Sequence, residues 1–471
     1  MKFFTDHKAI WLGIAILIFG ADNAFAQGQS RPLMQDIQVQ RELPQPSATP
    51  LIKRTGSSAP VRDDVVTAGG MSPSAVRTSV PVLADVMIPG ISGILVESLN
   101  GETVVESGSN IALNPASNVK VATTYAVLKT FGPNYRFQTN VWTDGAYDPQ
   151  TATLQGNIYV TGRDPVFSAE HAVYIANELN RMGIRRIEGD LIVADSFVMN
   201  HSAATSRTSQ LLFATLDAGK RSAAANRSWA SYRILSGKGT SLNEIPGVTF
   251  TGAVYVQPLP SELRLLFSHE SAPMRDIVKV MMSYSNNFLA ERLGDMVGGP
   301  YGVAGLVHRN AGVSPMEFSL QTSSGLGINR VTASAMMRLL RTLRNELAGM
   351  NMTFADVMPV AGMDKGTLEG RFASDFSRGS VVGKTGTLGN TDGGVSALAG
   401  EVHTRNGTFL FVIFNQRGSV PRFRSFQNNY VSLIQGQFGG AAPTAYSPIS
   451  LDTKLANTRI SYPDGRPRIS E

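Results

Sequence analysis

Two apolar runs set close together, residues 395–402 and 408–415, constrain this chain more than any other feature. Each has the length of a strand, and the few residues between them leave room only for a tight reversal. They read as successive antiparallel strands. Upstream, residues 93–107 hold two alternating apolar runs around Asn100-Gly101, a dipeptide that tolerates the positive φ angles of a type I′ hairpin turn. Helix patterns cover 116–131, 169–182, 333–347 and 424–438, and a fifth covers 274–297 with a polar interruption at 283–287. Asn114 suits the N-cap of the first, Pro115 its first helical position, Gly183 the end of the second and Thr332 the cap of the 333–347 helix. Strands are expected at 154–161 and 191–194, irregular polar chain from 199 to 247, and frayed chain beyond about residue 440. No internal repeat stands out. A hairpin, helices, a strand meander and a closing helix favour an α+β fold, a helical layer packed on an antiparallel sheet.

The N-terminus has the order of an export signal. Lys2 and Lys8 flank the start of an apolar run, 9–19, and Ala24-Phe25-Ala26 supplies small residues for cleavage. The run is well short of the roughly 20 residues that span a bilayer. Residues 1–26 are therefore expected to be a cleaved signal peptide, leaving a periplasmic protein with no stable transmembrane anchor. Residues 27–81, rich in Pro and Ser, read as a linker. The net charge of +6 is spread thinly, so no nucleic-acid partner is expected. The chain has no cysteine, which excludes disulfides, thiol nucleophiles and Cys-based zinc sites. Six scattered histidines show no metal-ligand spacing, and neither a Gly-x-Ser-x-Gly elbow nor a P-loop is present. No metal and no cofactor are expected.

Three short segments carry chemistry. In Ser117-Asn118-Val119-Lys120 the i, i+3 spacing brings a lysine amine beside a serine hydroxyl on one helix face. A neutral lysine can accept the serine proton if burial or a second cation lowers its pKa. Alone, the pattern is close to background. Lys384-Thr385-Gly386 is rarer: it puts donors for a carboxylate on an edge strand, Gly386 clears room for a substrate backbone, and Thr387 adds a hydroxyl. Ser285-Asn286-Asn287 breaks a helix with groups that compete for backbone hydrogen bonds. Tyr284-Ser285-Asn286 offers a second register for the same function. The ordered set, Ser-x-x-Lys, Ser-x-Asn, Lys-Thr-Gly, is the signature of penicillin-binding proteins and serine β-lactamases.

Within that group the chain resembles the class-C low-molecular-mass penicillin-binding proteins, the D-Ala-D-Ala carboxypeptidase/endopeptidase family, from about residue 93 to 438. Besides the three motifs, Gly162-Arg163-Asp164-Pro165, Ile187-Glu188-Gly189-Asp190, Ser324-Gly325-Leu326 and Gly366-Thr367-Leu368 carry the likeness. The resemblance implies a transpeptidase-like fold split into 82–136 and 273–440, a reduced inserted α/β region at 137–272, and a polar tail at 441–471. It implies Ser117 as nucleophile, Lys120 as its base, and Lys384 as the charge that keeps Lys120 neutral. Ser285 and Asn287 would assist proton transfer and hold substrate, Thr385, Gly386, Thr387 and Ser324 would bind it, and Asp195 would meet an amine on the stem. Partners would be peptidoglycan stem peptides and β-lactam antibiotics. The chain departs from the family pattern where an Arg follows Ser-Gly-Leu: Ile328 stands there, with Arg330 close by. A serine β-lactamase is a second reading, for which no deacylating base is evident. A non-catalytic peptidoglycan-binding protein is a third.

Overall fold

A computed structural model describes residues 76–239 and 245–463. The signal-peptide reading and nearly all of the linker reading lie outside the described residues, as do the last eight residues of the expected tail. The described chain begins with β1 (Arg77–Thr78), a short helix α1 (Pro81–Ala84) and the hairpin β2 (Ile91–Ser98) and β3 (Thr103–Ser107). The hairpin turns at Asn100-Gly101, with Gly101 at φ +93°. A 3-10 turn (Ala116–Asn118) then leads into α2 (Val119–Phe131).

An inserted lobe follows. It comprises β4 (Gln138–Thr143), β5 (Ala146–Asp148), β6 (Thr153–Gln155), β7 (Ile158–Gly162), α3 (Ala169–Arg181), β8 (Arg186–Glu188) and β9 (Leu191–Val193). It continues through α4 (Thr205–Leu216), α5 (Ala223–Leu235), β10 (Thr249–Phe250), β11 (Val254–Val256) and β12 (Arg264–Glu270). The expected single strand at 154–161 is two strands in two sheets. The chain bends at Gly156-Asn157, so β6 pairs with β8 while β7 pairs with β9. The same bend recurs at Gly189-Asp190 and Gly252-Ala253, giving three stacked rungs with parallel β6–β8–β10 on one side and β7–β9–β11 on the other. Side chains lace the rungs: Asp144 accepts from Asn157 N–H at 2.7 Å, Asn157 Oδ1 from Asp190 N–H at 2.8 Å, and Asp190 Oδ1 from Ala253 N–H at 2.7 Å. The stretch expected to be irregular, 199–247, contains α4 and α5. Their buried residues recur at helical spacing, Thr208, Ser209, Leu212, Thr215 and Leu216 in α4 and Ala225, Trp229 and Tyr232 in α5, but several are Thr, Ser or Ala, so hydrophobicity alone does not mark the stripe.

The chain then returns through α6 (Met274–Tyr284), α7 (Asn287–Asp295), α8 (Gly299–Ala311), β13 (Phe318–Ser319), β14 (Arg330–Val331), α9 (Ala333–Gly349) and α10 (Phe354–Val357). Next come β15 (Val381–Leu388), β16 (Val395–Thr404), β17 (Gly407–Gln416) and α11 (Val420–Gln437). The central sheet has the order β1-β3-β2-β17-β16-β15, all antiparallel, with β15 at an edge. Residues 409–414 are all apolar because both faces of β17 are covered. Leu410, Val412 and Phe414 join the core formed with α2, α6, α7 and α9, while Phe409, Phe411 and Ile413 pack with Phe426, Tyr430 and Ile434 of α11. The residues expected to fray past 440 do not do so as far as 463. Helix α12 (Leu451–Leu455) packs its Leu451 and Leu455 into the main core, and β18 (Arg459–Ser461) pairs with β12 at the edge of the inserted lobe. No helix among the described residues is long and apolar enough to cross a membrane.

Candidate active site

Ser117 does not sit in the first turn of a regular α-helix. It lies in the 3-10 turn before α2, and Ala116 ahead of it takes φ +46°. Asn114 holds this turn from below: its Oδ1 accepts from Ala116 N–H at 3.0 Å, and its Nδ2 donates to Gly327 O and to Asp392 Oδ2. Two glycines let neighbouring segments close on the turn. A Cβ on Gly386 would lie 2.6 Å from Pro115 O, and one on Gly325, at φ +89°, would overlap the Ala116 carbonyl. Gly386 was expected to make room for substrate; the backbone it admits is that of the serine turn itself.

Lys120, one helical turn on, is fully buried. Its Nζ donates to Ser117 Oγ at 3.0 Å, Asn287 Oδ1 at 2.8 Å and Ser324 O at 2.7 Å. Burial lowers its pKa to about 7, against the pull of Glu291 in the opposite direction. Lys384, also fully buried, donates to Ser285 Oγ at 2.8 Å and to Thr385 O at 2.7 Å. Burial first, and the charge of Lys120 second, hold its ammonium well below the ordinary lysine range. The expectation made Lys384 the resident cation that neutralises Lys120. The repulsion between the two ammonium groups is mutual, so each disfavours the charged form of the other, and it adds to burial in holding Lys384 down.

The polar break between α6 and α7 resolves the register. Ser285 sits at φ +56° and faces Lys384, and Asn287 faces Lys120. Asn286 instead caps α7, accepting from Leu289 N–H at 3.0 Å. Thr385 is half-buried and Thr387 exposed on the edge strand. Beyond Gly383 no other strand among the described residues pairs with the free side of β15, so an extended peptide can add there. Ser324 departs from expectation: it is fully buried, and it reaches the site through its carbonyl on Lys120. Asp195 lies exposed on the loop after β9, where its carbonyl accepts from Thr205, and no described contact joins it to the cluster. Arg330 is committed to Asp392 by two hydrogen bonds of 2.9 Å, while Ile328 stands 58% exposed beside it.

Several contributors have no role in the sequence reading, although Ala290-Glu291, following Ser285-Asn286-Asn287, belongs to the family likeness. Glu291 accepts from Ser323 and Ser324 N–H at 3.2 and 3.0 Å, fixing the loop whose carbonyl holds Lys120. Its i, i+4 spacing from Asn287 was a usable signal. Thr123 Oγ1 donates to Ser323 O at 2.6 Å, anchoring the same loop. Arg424 donates to Thr387 Oγ1 at 3.0 Å and pairs with no carboxylate among the described residues, a contact that no local spacing announces. No group of three or more His, Asp or Glu among the described residues is placed to hold a metal ion.

The chain matches the family model for the D-Ala-D-Ala carboxypeptidase 3 (S13) family over residues 82–216 and 240–433. It is 25% identical to a D-alanyl-D-alanine carboxypeptidase of Actinomadura sp. (strain R39), over 77% of this chain and 84% of that protein. It is 23% identical to a D-alanyl-D-alanine carboxypeptidase of Haemophilus influenzae, over 78% and 93%. Among solved structures, a predatory endopeptidase from Bdellovibrio bacteriovorus superposes with a TM-score of 0.64 at 22% identity, covering 76% of this chain and 96% of that one. Penicillin-binding protein 4 of Haemophilus influenzae gives 0.56 at 19%, covering 77% and 100%. These likenesses establish the α+β transpeptidase-like fold.

Proposed function

This chain belongs to the D-Ala-D-Ala carboxypeptidase 3 (S13) family, and on that premise we propose that it is a serine D-Ala-D-Ala carboxypeptidase or D,D-endopeptidase acting on peptidoglycan stem peptides. The observation that carries this reading is the 3.0 Å bond from a fully buried, pKa-depressed Lys120 to Ser117 Oγ. Ser117 Oγ attacks the carbonyl of the penultimate D-Ala, and its proton passes to Lys120 Nζ. Backbone N–H groups of Ser117 and Thr387 receive the oxyanion. The C–N bond breaks as Ser285 relays a proton to the leaving amine, which departs as D-Ala or as the far half of a crosslink. Water then splits the acyl ester and restores Ser117.

Asn287 holds the stem amide and Lys120 together. Thr385 and Thr387 take the terminal carboxylate; the Arg424 bond occupies a lone pair of Thr387 and leaves its hydroxyl hydrogen to donate into the cleft. Penicillins would acylate Ser117 in the same way. One member of this fold, the Bdellovibrio predatory endopeptidase, has been solved acylated by penicillin G. We assign residues 1–26 as a cleaved export signal to the periplasm, the chain from 27 up to β1 as a linker, and 137–272 as the insert between the two parts of the transpeptidase-like domain; the linker expected to reach residue 81 ends sooner, because β1 pairs with β3 and α1 starts at Pro81.

Fluorescent penicillin tests the reading. The mature protein is expected to take a long-lived covalent label that Ser117→Ala abolishes, with Lys120→Ala slower by about a hundredfold or more. No label on the wild type would sink the proposal, and rapid label loss with antibiotic turnover would favour a β-lactamase. Crosslinked muropeptides then separate the two peptidase activities: free D-Ala reports the carboxypeptidase, split dimers the endopeptidase.

A further inference from the structure

The loop at 359–368 lies behind the cleft and is bonded to both of its walls. Its first residues run along the start of β15: Gly383 N–H donates to Pro359 O at 3.2 Å, Ala361 N–H to Val381 O at 2.9 Å, and Val360 bridges Val382. Its far end grips the C-terminus of α6, where Thr367 N–H donates to Ser283 O at 3.0 Å. Gly366 makes that grip possible. It takes φ +117°, and any Cβ there would overlap the Ser283 carbonyl. Lys384 follows directly on the first attachment, and Ser285 lies just beyond the second.

Asp364 sits between the attachments and is buried. Its Oδ2 accepts from Lys279 Nζ of α6 at 2.6 Å and from Val360 N–H at 2.8 Å. Its Oδ1 accepts from Tyr446 Oη at 2.8 Å. Lys279 is fully buried too and spends its remaining hydrogens on Ala355 O and Met358 O, at 2.8 and 2.6 Å. One carboxylate thus ties the loop's own start, the α6 helix and the C-terminal segment to a single point.

We propose that Asp364, together with Lys279, is a positioning residue for acyl transfer: it fixes the spacing of α6 from β15, and so the 2.8 Å Lys384–Ser285 bond that spans the cleft. It touches no reacting atom. The inference rests on the acyl-transfer reading above and adds to it a second tier of residues. Misplacing reacting groups by about an ångström can cost on the order of a hundredfold in rate. A buried ion pair, by contrast, gives little net stability over apolar residues of similar volume. The two roles can therefore be separated.

The test uses the double variant Lys279→Met/Asp364→Leu and, at the loop's other end, Gly366→Ala. Melting temperature, the acylation rate of Ser117 by fluorescent penicillin, and the pH profile of that rate are measured for each. The double variant is expected to fold, to acylate slower by on the order of tenfold to a hundredfold, and to show a displaced pH midpoint, because Lys384 loses its fixed partner. Gly366→Ala is expected to share the slow rate and the displaced midpoint. A folded double variant with the wild-type rate and an unmoved midpoint overturns the proposal. If the double variant does not fold, Gly366→Ala decides between the same two outcomes. A wild type that takes no label defeats the acyl-transfer reading, and this inference with it.

Discussion

Lys120 has three oxygen acceptors within 3.0 Å, and none belongs to a carboxylate. An amine with such partners keeps its geometry whether or not it carries the third proton, which suits a base. With its pKa lowered to about 7, Lys120 is protonated below that pH and cannot accept from Ser117. Acylation is expected to rise with pH, leveling off above about 7. Glu291 pulls the value upward, so Glu291→Gln is expected to move the midpoint of the acylation profile down; an upward move would contradict this account. Asp164 is a second perturbed group. Burial raises its carboxyl to about 7, and its Oδ2 has no hydrogen-bond partner. The folded state then keeps a proton that the unfolded chain has released above the ordinary carboxyl range. Stability should therefore fall as pH rises from about 4 to about 7, by on the order of a few kcal/mol. Asp164→Asn should flatten that slope, measured as urea midpoints at pH 5 and pH 8; an unchanged slope would refute the assignment. Ser117, Lys120 and Lys384 were legible in the sequence because their relations are local or belong to rare triplets. Ser324 and Gly386 were legible as positions but not as roles, because each acts on a segment distant in the chain.

At the scale of elements, apolar runs buried on both faces were the easiest to read, as β16 and β17 show. The rungs of the inserted lobe were the hardest. Each of β6 to β11 has five residues or fewer, too short for periodicity to register, and the bends that separate them depend on glycines rather than on pattern. Gly189 is one such bend. A Cβ there would overlap the Gly156 carbonyl of the rung beside it. Gly189→Ala is expected to cost about 1–3 kcal/mol of stability, read as a lowered melting temperature, while Ser117 still acylates at close to the wild-type rate. Gly386→Ala should do the opposite. Its Cβ would press on Pro115 O, and acylation should fall at least tenfold with the melting temperature less affected. If both variants changed the same readout, the separation of the inserted lobe from the site would be wrong.

At the scale of the whole molecule, the two lobes share their C-terminal residues. Arg459 pairs with Glu270 and β18 extends the inserted lobe, while Lys454 pairs with Asp276 on α6. Removing residues 450–471 is expected to speed hydrogen exchange in β12 and β4 and to leave β16 and β17 protected; equal protection in all four strands would show that the tail is decorative. Polarity gave the wrong reading of this segment, because its few apolar residues, Leu451, Leu455 and Ile460, are the ones that pack. The pairing of β2 with β17 has a consequence for the order of events during synthesis. The central sheet joins strands from the two ends of the domain, and the turn that carries Ser117 leans on Gly386, which is made late. A nascent chain of half this length holds its serine and its lysine but has nothing to press them into register. Hydrolytic competence therefore appears only when nearly the whole polypeptide is present, so a chain threaded through a membrane in extended form would cross it inert.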